Sequence, residues 1–186
     1  MTHSLDFAGV AEKLFLLQQL CLASQPYCRH NGICKDSQPY GHDNWNDYSH
    51  KIRRTVSGYL IEIAAKIRVL QDSSAGVIRP SVFSRADDYA FEEIPVGVVH
   101  AGSFKLSVRE TCNKIIHATR AELEWKTRNT RTIDRYTHWT GKINLLGERG
   151  AEQWHLELDV YAWTFAVDIY IDHVLSSEDG QALDFG

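Results

Sequence analysis

A candidate acid–base site lies in the segment 103–126, where five polar side chains recur at helical spacing. They are Arg109, Asn113, His117, Arg120 and Glu124. If the segment is a helix, all five border its apolar stripe. At such a border an imidazole can exchange protons near neutral pH, and a guanidinium can hold a phosphate through two hydrogen bonds. The pattern predicts Arg109 and His117 as a catalytic pair for cleavage of a phosphodiester by its own 2′-hydroxyl, a reaction that needs no metal or cofactor.

Other side chains would support this predicted site. The residues assigned to substrate binding are Asn113, Lys114 and Arg120. On the second predicted helix, Glu62 and Lys66 lie one turn apart among apolar residues, where a charge needs a partner. An internal ion pair provides one, for example with Arg68. Alternatively, Glu62 orients the ring of His117 across the helix pair.

Two further groups contain side chains that can ligate metals. The first comprises Cys28, His30, Cys34 and His42. Its Cys-x5-Cys spacing is that of no common zinc finger, so a tied-down loop with free thiols is the alternative. The second is the pair Asp168 and Asp172, one turn apart on the last predicted helix; such a pair can hold Mg²⁺ but is more often solvated. We therefore predict no metal site, although the sequence leaves the first group open.

The composition is that of a folded protein. The chain has 186 residues, 44% of them hydrophobic, with 20 Lys and Arg against 24 Asp and Glu. These values exclude a largely disordered chain and a coiled coil, and no apolar run is long enough for a membrane span. Four cysteines without an export signal predict reduced thiols in the cytoplasm. Between Lys105 and Arg135, eight basic residues face four acidic ones, which predicts a local surface that attracts RNA.

Hydrophobic periodicity predicts a mainly α fold in a single domain over 1–186. The predicted helices are a first helix over 5–22, a central buried helix over 45–72, a third helix over 103–126 and a last helix capped by Asp159. The predicted strands are a short one at 96–99, within a mixed region over 73–102, and a β-hairpin over 136–159. A long loop over 24–44 and a frayed tail over 177–186 complete the prediction. Together they predict a bundle of about four helices with the hairpin inserted before the last one. Trp139 and Trp154 would anchor the hairpin on the helices.

The predicted arrangement resembles the HEPN superfamily of helical proteins. The resemblance rests on the late helix and on the segment Arg109-Glu-Thr-Cys-Asn-Lys-Ile-Ile-His117, in which seven residues separate Arg from His, against four to six in the family motif. It implies a metal-independent endoribonuclease of a toxin or phage-defence type. It also implies a homodimer that brings two such motifs together on RNA.

A second hypothesis is a non-catalytic helical protein that acts as a subunit or accessory factor. Its hairpin and three tryptophans, Trp139, Trp154 and Trp163, would then present an interface to a protein partner. The sequence leaves open whether the chain is an enzyme. The placement of Arg109 and His117 in the fold bears on the choice between the two.

Overall fold

The structure, a computed structural model, describes residues 7–36, 42–74, 76–92, 94–128 and 135–181, without the side chains of 7, 42 and 43. The helices in these ranges are α1 (Phe7–His30), α2 (His42–Ser73), α3 (Pro80–Glu92), α4 (Val108–His117), α5 (Val160–Leu175) and α6 (Glu178–Gln181). The strands are β1 (Gly97–Ala101), β2 (Arg120–Arg128), β3 (Tyr136–Arg149) and β4 (Glu152–Asp159). The ends of the predicted first helix (5–6), loop (37–41) and tail (182–186) lie outside the described residues.

The four strands form one antiparallel sheet in the order β1-β4-β3-β2. The prediction of a mainly α, four-helix bundle with a single hairpin is therefore wrong, because the fold combines six described helices with a four-stranded sheet. The hairpin itself is present as β3 and β4, and the predicted short strand is β1. A hairpin alone is marginal, and the two added strands give it a stable sheet.

The predicted third helix over 103–126 is wrong in its second half. Helix α4 ends at His117, and the extended backbone of Ala118 leads into β2. Strand β2 pairs with β3, and Leu123 faces the core. The residues Ala, Glu, Leu and Lys in this segment favour a helix, but strand pairing and burial outweigh such local preferences.

The predicted loop over 24–44 is also too long. Helix α1 continues past Pro26 to His30, and α2 already begins at His42. Pro26 cannot donate to the carbonyl of Leu22, but Leu22 lies on the exposed side of α1, where water can take that place. The buried Ser24 hydroxyl fixes this part of α1, because it contacts the Tyr48 hydroxyl at 2.8 Å and accepts from the Trp139 amide at 3.0 Å.

The core lies between the helices and one face of the sheet. Leu145, Leu156 and Leu158 point to this side and are buried, as are Trp139 and Trp154, the predicted anchors. The cap predicted for the last helix is confirmed, since Asp159 accepts from the Ala162 amide at 2.9 Å. The opposite face of the sheet is polar and accessible to solvent.

Two smaller features complete the fold. The predicted frayed tail over 177–186 is helical where it begins, since α6 occupies Glu178–Gln181. Asp179 of α6 accepts hydrogen bonds from the backbone amide and the guanidinium of Arg79. None of the helices within the described ranges has the length and apolar character needed to cross a membrane.

Candidate active site

Helix α4 places Arg109 and His117 at its two ends. Eight residue steps along the helix, with seven residues between them, separate the two by about 12 Å along the axis. Arg109 turns toward α2, where its guanidinium donates to Asp72 at 3.0 Å and approaches Gln71 at 3.5 Å. His117 is exposed in the last turn. The two predicted catalytic side chains thus face different neighbours.

His117 lines an open cavity of about 310 Å³ at the end of α4. The other lining residues are Glu110, Asn113, Lys114, Glu148, Arg149 and Trp154. Three of the residues predicted for the site are therefore together here, and Arg149, which the sequence did not single out, supplies the guanidinium. Asn113 donates to Glu110 at 3.4 Å, so its amide is already engaged.

Other side chains of the protein enclose the Lys114 ammonium. Its side chain is nearly buried, and its ammonium lies 4.1 Å from the ring centre of Phe104 and 4.4 Å from that of Trp154. Glu110, one turn earlier, accepts the charge at 3.2 Å. Two aromatic faces and a carboxylate hold this ammonium, so it reaches a substrate only by leaving them.

The remaining predicted residues lie elsewhere. Arg120 is on β2 rather than on a helix, and its guanidinium binds Glu122. Glu62 accepts from Lys66 at 3.0 Å and from Lys13 at 3.1 Å, which joins α2 to α1. Glu62 therefore forms an ion pair, but its side chain is 42% exposed and Arg68 pairs with Asp72 instead, so the predicted internal pair with Arg68 is wrong.

The two candidate metal groups differ in how much of them the structure describes. Cys28 and Cys34 are buried, and the side chain of His42 lies outside the described residues. Among the residues that the structure describes, no three His, Cys, Asp or Glu side chains are placed to hold a metal ion. The pKa of Asp168 is raised, first by burial and then by the nearby charge of Asp172.

The polar face of the sheet carries a more closely connected cluster. Its members, which we call the histidine cluster, are His100 on β1, Lys142 and Asn144 on β3, and His155 and Glu157 on β4. The strand register places Asn144 opposite Glu157, and the ring centres of the two histidines lie 4.7 Å apart. Two imidazoles, a carboxylate, an ammonium and an amide thus meet on one accessible surface.

Hydrogen bonds orient every member of the histidine cluster. Glu157 lies 3.3 Å from Nε2 of His100 and accepts from Lys142 at 2.6 Å. Nε2 of His155 lies 2.8 Å from Oδ1 of Asn144. Each ring therefore has its own partner at Nε2, and the two rings share no hydrogen bond with each other.

These contacts select the tautomer of both rings. A carboxylate and an amide oxygen only accept, so Nε2 of His100 and Nε2 of His155 each carry a proton. A neutral ring then has its lone pair on Nδ1. Within the described ranges neither Nδ1 atom has a hydrogen-bond partner, so both are available to a bound molecule. Of the two rings, His100 has the carboxylate that can balance a positive charge.

Glu157 is ionised in this arrangement. Its pKa is lowered, first by the hydrogen bond from Lys142 and further by the one from His100, against the opposing effect of burial. The same contact with Glu157 raises the pKa of Lys142, which therefore keeps its positive charge. The carboxylate links the ammonium to the nearer imidazole.

The local fold explains why His100 reaches this surface. The pairing of β1 with β4 shifts register between Val99 and Ala101, so His100 is the extra residue of a β-bulge. Bulges redirect a side chain and are frequent beside active sites. Gly97 allows the close approach of the strands, because a Cβ there would lie 2.3 Å from the Glu157 carbonyl oxygen.

Neither histidine of the cluster was among the residues predicted from the sequence. His155 occupies a polar position in the alternation of β4, which indicates the outer face but no partner. His100 precedes His155 by 55 residues, and only the pairing of β1 with β4 brings them together. A rule that searches for polar positions on the open face of a predicted hairpin would have found His155, Asn144 and Glu157.

Comparison of the chain with protein-family models, curated proteins and solved structures found no match.

Proposed function

We propose that this protein is a metal-independent endoribonuclease and that the histidine cluster is its active site. The observation that carries the proposal is the pair of imidazoles, 4.7 Å apart, with Nε2 of each ring engaged and Nδ1 of each ring open. Cleavage of RNA by its own 2′-hydroxyl needs one group to take a proton and one to give a proton. Two oriented imidazoles supply both.

The roles follow from the partners of each ring. Nδ1 of neutral His155 takes the proton from the 2′-hydroxyl, and the 2′-oxygen attacks phosphorus. The bond from phosphorus to the 5′-oxygen breaks, and protonated His100 gives that oxygen its proton. The products are a 2′,3′-cyclic phosphate and a free 5′-hydroxyl. Glu157 balances the charge of His100 before the transfer, and the Lys142 ammonium faces the charge that develops on the phosphate.

Arg120 extends the polar surface toward the edge of the sheet. In the register, His155 lies opposite Leu146, and Leu146 lies opposite Arg120. Adjacent strands are about 4.8 Å apart, so the two backbones are separated by about 10 Å. A long guanidinium side chain at that distance can contact a neighbouring phosphate, the role that the sequence analysis assigned to Arg120.

The α4 end is the second candidate location for the same reaction. His117 lines a cavity with Asn113 and Lys114, and Arg149 is the guanidinium in that lining, whereas Arg109 is absent from it. This alternative has a single imidazole in its cavity. The assignment of Arg109 and His117 stays a prediction, which the following experiment separates from the histidine cluster.

The experiment is cleavage of a single-stranded RNA pool in EDTA by the native protein and two matched variants, His155→Ala and His117→Ala. We expect 2′,3′-cyclic phosphate ends from the native protein and from His117→Ala. We expect a loss of about 10²- to 10⁴-fold in His155→Ala, the usual contribution of an acid–base group. Loss in His117→Ala alone moves the site to α4. No cleavage by folded native protein favours the interaction hypothesis.

Two further expectations belong to this proposal. The cytoplasmic location inferred from the cysteine content is a proposal, which fractionation of the cells that make the protein tests. The homodimer implied by the family resemblance is tested by measuring the molar mass in solution.

A further inference from the structure

The end of the molecule opposite the β3–β4 turn carries an exposed aromatic ring with rigid support. The Tyr27 side chain on α1 is 53% exposed, and one face of its ring stacks on Tyr48 at 5.6 Å between centres. Tyr48 is buried and its hydroxyl is held by Ser24. Trp125 on β2 packs edge-on against both Tyr48 and Trp45. We call these four rings the aromatic platform.

The chain around the aromatic platform is strongly basic. Four contacting segments build this end: 27–36, 45–54, 125–128 and 135–138. Their basic residues are Arg29, Lys35, Lys51, Arg53, Arg54, Lys126, Arg128 and Arg135, and their acidic residues are Asp36 and Asp47. These segments thus carry eight positively charged side chains and two negatively charged ones, with Glu124 directly before the third segment, in a chain whose net charge is −4.

Several of these positive charges are available to a ligand. Asp47 pairs with Lys51, and Asp36 pairs with Arg135. In the part of the chain that the structure describes, no carboxylate pairs with the exposed Arg29, Lys126 or Arg128.

The buried ring of His138 also reports this positive potential. The pKa of His138 is lowered, first by burial and then by the charges of Arg128 and Lys126.

We propose that the aromatic platform and its basic surroundings bind single-stranded RNA. Aromatic rings stack with unpaired bases of any sequence, and unpaired Lys and Arg contact the phosphates. A duplex keeps its bases stacked inside the helix and cannot offer them to Tyr27. The inference rests on the proposed function in one respect, since it names the form of the substrate as single-stranded.

The distance between the two sites adds a length requirement. The aromatic platform packs on the helix side of the sheet, and the histidine cluster lies on the open face. Along β3 alone, from His138 to Leu146 opposite His155, the backbone spans eight residue steps or about 26 Å, and a strand bound at both sites must also pass around the sheet. A dinucleotide reaches only the histidine cluster, whereas a strand of ten or more nucleotides can occupy both sites. Binding to the aromatic platform should therefore assist the cleavage of long RNA alone.

The first test uses single-stranded DNA, which lacks the 2′-hydroxyl and cannot be cleaved by this mechanism. A labelled 12-nucleotide strand is titrated with the native protein, Tyr27→Ala, Tyr27→Phe and the control Tyr89→Ala, an exposed tyrosine on acidic α3. We expect binding to weaken about 5- to 150-fold in Tyr27→Ala, the effect of losing one stacked base, and to persist in the other two variants. Equal binding by Tyr27→Ala and Tyr89→Ala, or tighter binding of duplex than of single strand, would overturn the proposal.

The second test concerns the phosphate contacts. In Lys126→Ala with Arg128→Ala, the slope of log affinity against log salt should fall by about 1.4, which is the loss of two contacts on a single strand. Lys105→Ala, an exposed lysine beside Asp87 and Asp88, is the charge control and should leave the slope unchanged. An unchanged slope in the double variant would mean that Lys126 and Arg128 do not contact the phosphates of the bound strand, and it would overturn this part of the proposal.

Cleavage of substrates of two lengths separates the two proposals. Tyr27→Ala should raise KM for a 12-nucleotide RNA and leave dinucleotide cleavage unchanged. Dinucleotide cleavage without any binding of single-stranded DNA overturns the aromatic platform and keeps the active site. Binding of single-stranded DNA without cleavage of any RNA overturns the active site and keeps the platform.

Discussion

The polar face of the sheet and the C-terminal end of α4 each place a histidine beside basic and acidic side chains, but they organise them differently. On the sheet, Nε2 of His100 and of His155 has an assigned acceptor, and three strands hold the groups in register. At α4, His117 is exposed, and the best-held cation, Lys114, is enclosed by two aromatic rings. The groups on the sheet are therefore already oriented for proton transfer, whereas the charged groups at the end of α4 mainly hold the local fold together.

After the loss of cleavage expected in His155→Ala, the largest effect on cleavage should come from replacing Glu157. In Glu157→Gln the carboxylate that contacts both His100 and Lys142 becomes neutral, and His100 loses the group that balances its charge. We expect kcat to fall about 10- to 100-fold, as for other positioning residues, with little change in KM. Kinetics of dinucleotide cleavage measure this. Glu148→Gln, in the α4 cavity, is the matched control and should leave kcat unchanged.

Lys114→Met should affect stability and not catalysis. The substitution keeps the length of the buried side chain but removes the charge between Phe104 and Trp154 and leaves Glu110 with the Asn113 amide in place of its ion pair. We expect the free energy of unfolding to fall by about 2 kcal/mol. Urea unfolding measures this change. A stable variant with impaired cleavage would instead place Lys114 in the substrate site.

The stability contributed by Glu157 should depend on pH. Because its pKa is lowered in the folded protein, the contribution is complete above the unfolded pKa of about 4.3 and is lost as pH falls through the folded value. The difference in unfolding free energy between the native protein and Glu157→Gln should therefore shrink as pH falls from 5 to 3. Urea unfolding at pH 7, 5 and 3 measures it. A difference that grows in acid would contradict the assigned ionisation.

Arg109→Ala should give the smallest effect. The side chains of Arg109 and Asp72 are both about half-exposed. Loss of their ion pair should therefore lower the unfolding free energy by no more than about 1 kcal/mol. Cleavage should remain at the native rate. A loss of cleavage comparable to that of His155→Ala would restore the catalytic pair predicted from the sequence and reverse the comparison.

The parts of the fold that were predictable depend on local pattern. The alternation in β3 and β4, the cap at Asp159 and the buried face of α2 are all encoded by neighbouring residues. Strand β2 was not predictable in this way, since its residues favour a helix and only pairing with β3 makes them extended. The histidine cluster depends on the same long-range pairing, because β1 reaches β4 across more than 50 residues.

The most direct test of the central claim compares two dinucleotide-length substrates in EDTA, one with a 5′-nucleoside leaving group and one with a nitrophenyl group that leaves without a proton. His100→Ala should be strongly impaired on the first and nearly restored on the second, because it lacks only the proton donor. His155→Ala should be impaired on both, because it lacks the base. Native rates in both variants on both substrates, with cleavage abolished in His117→Ala, would contradict the account.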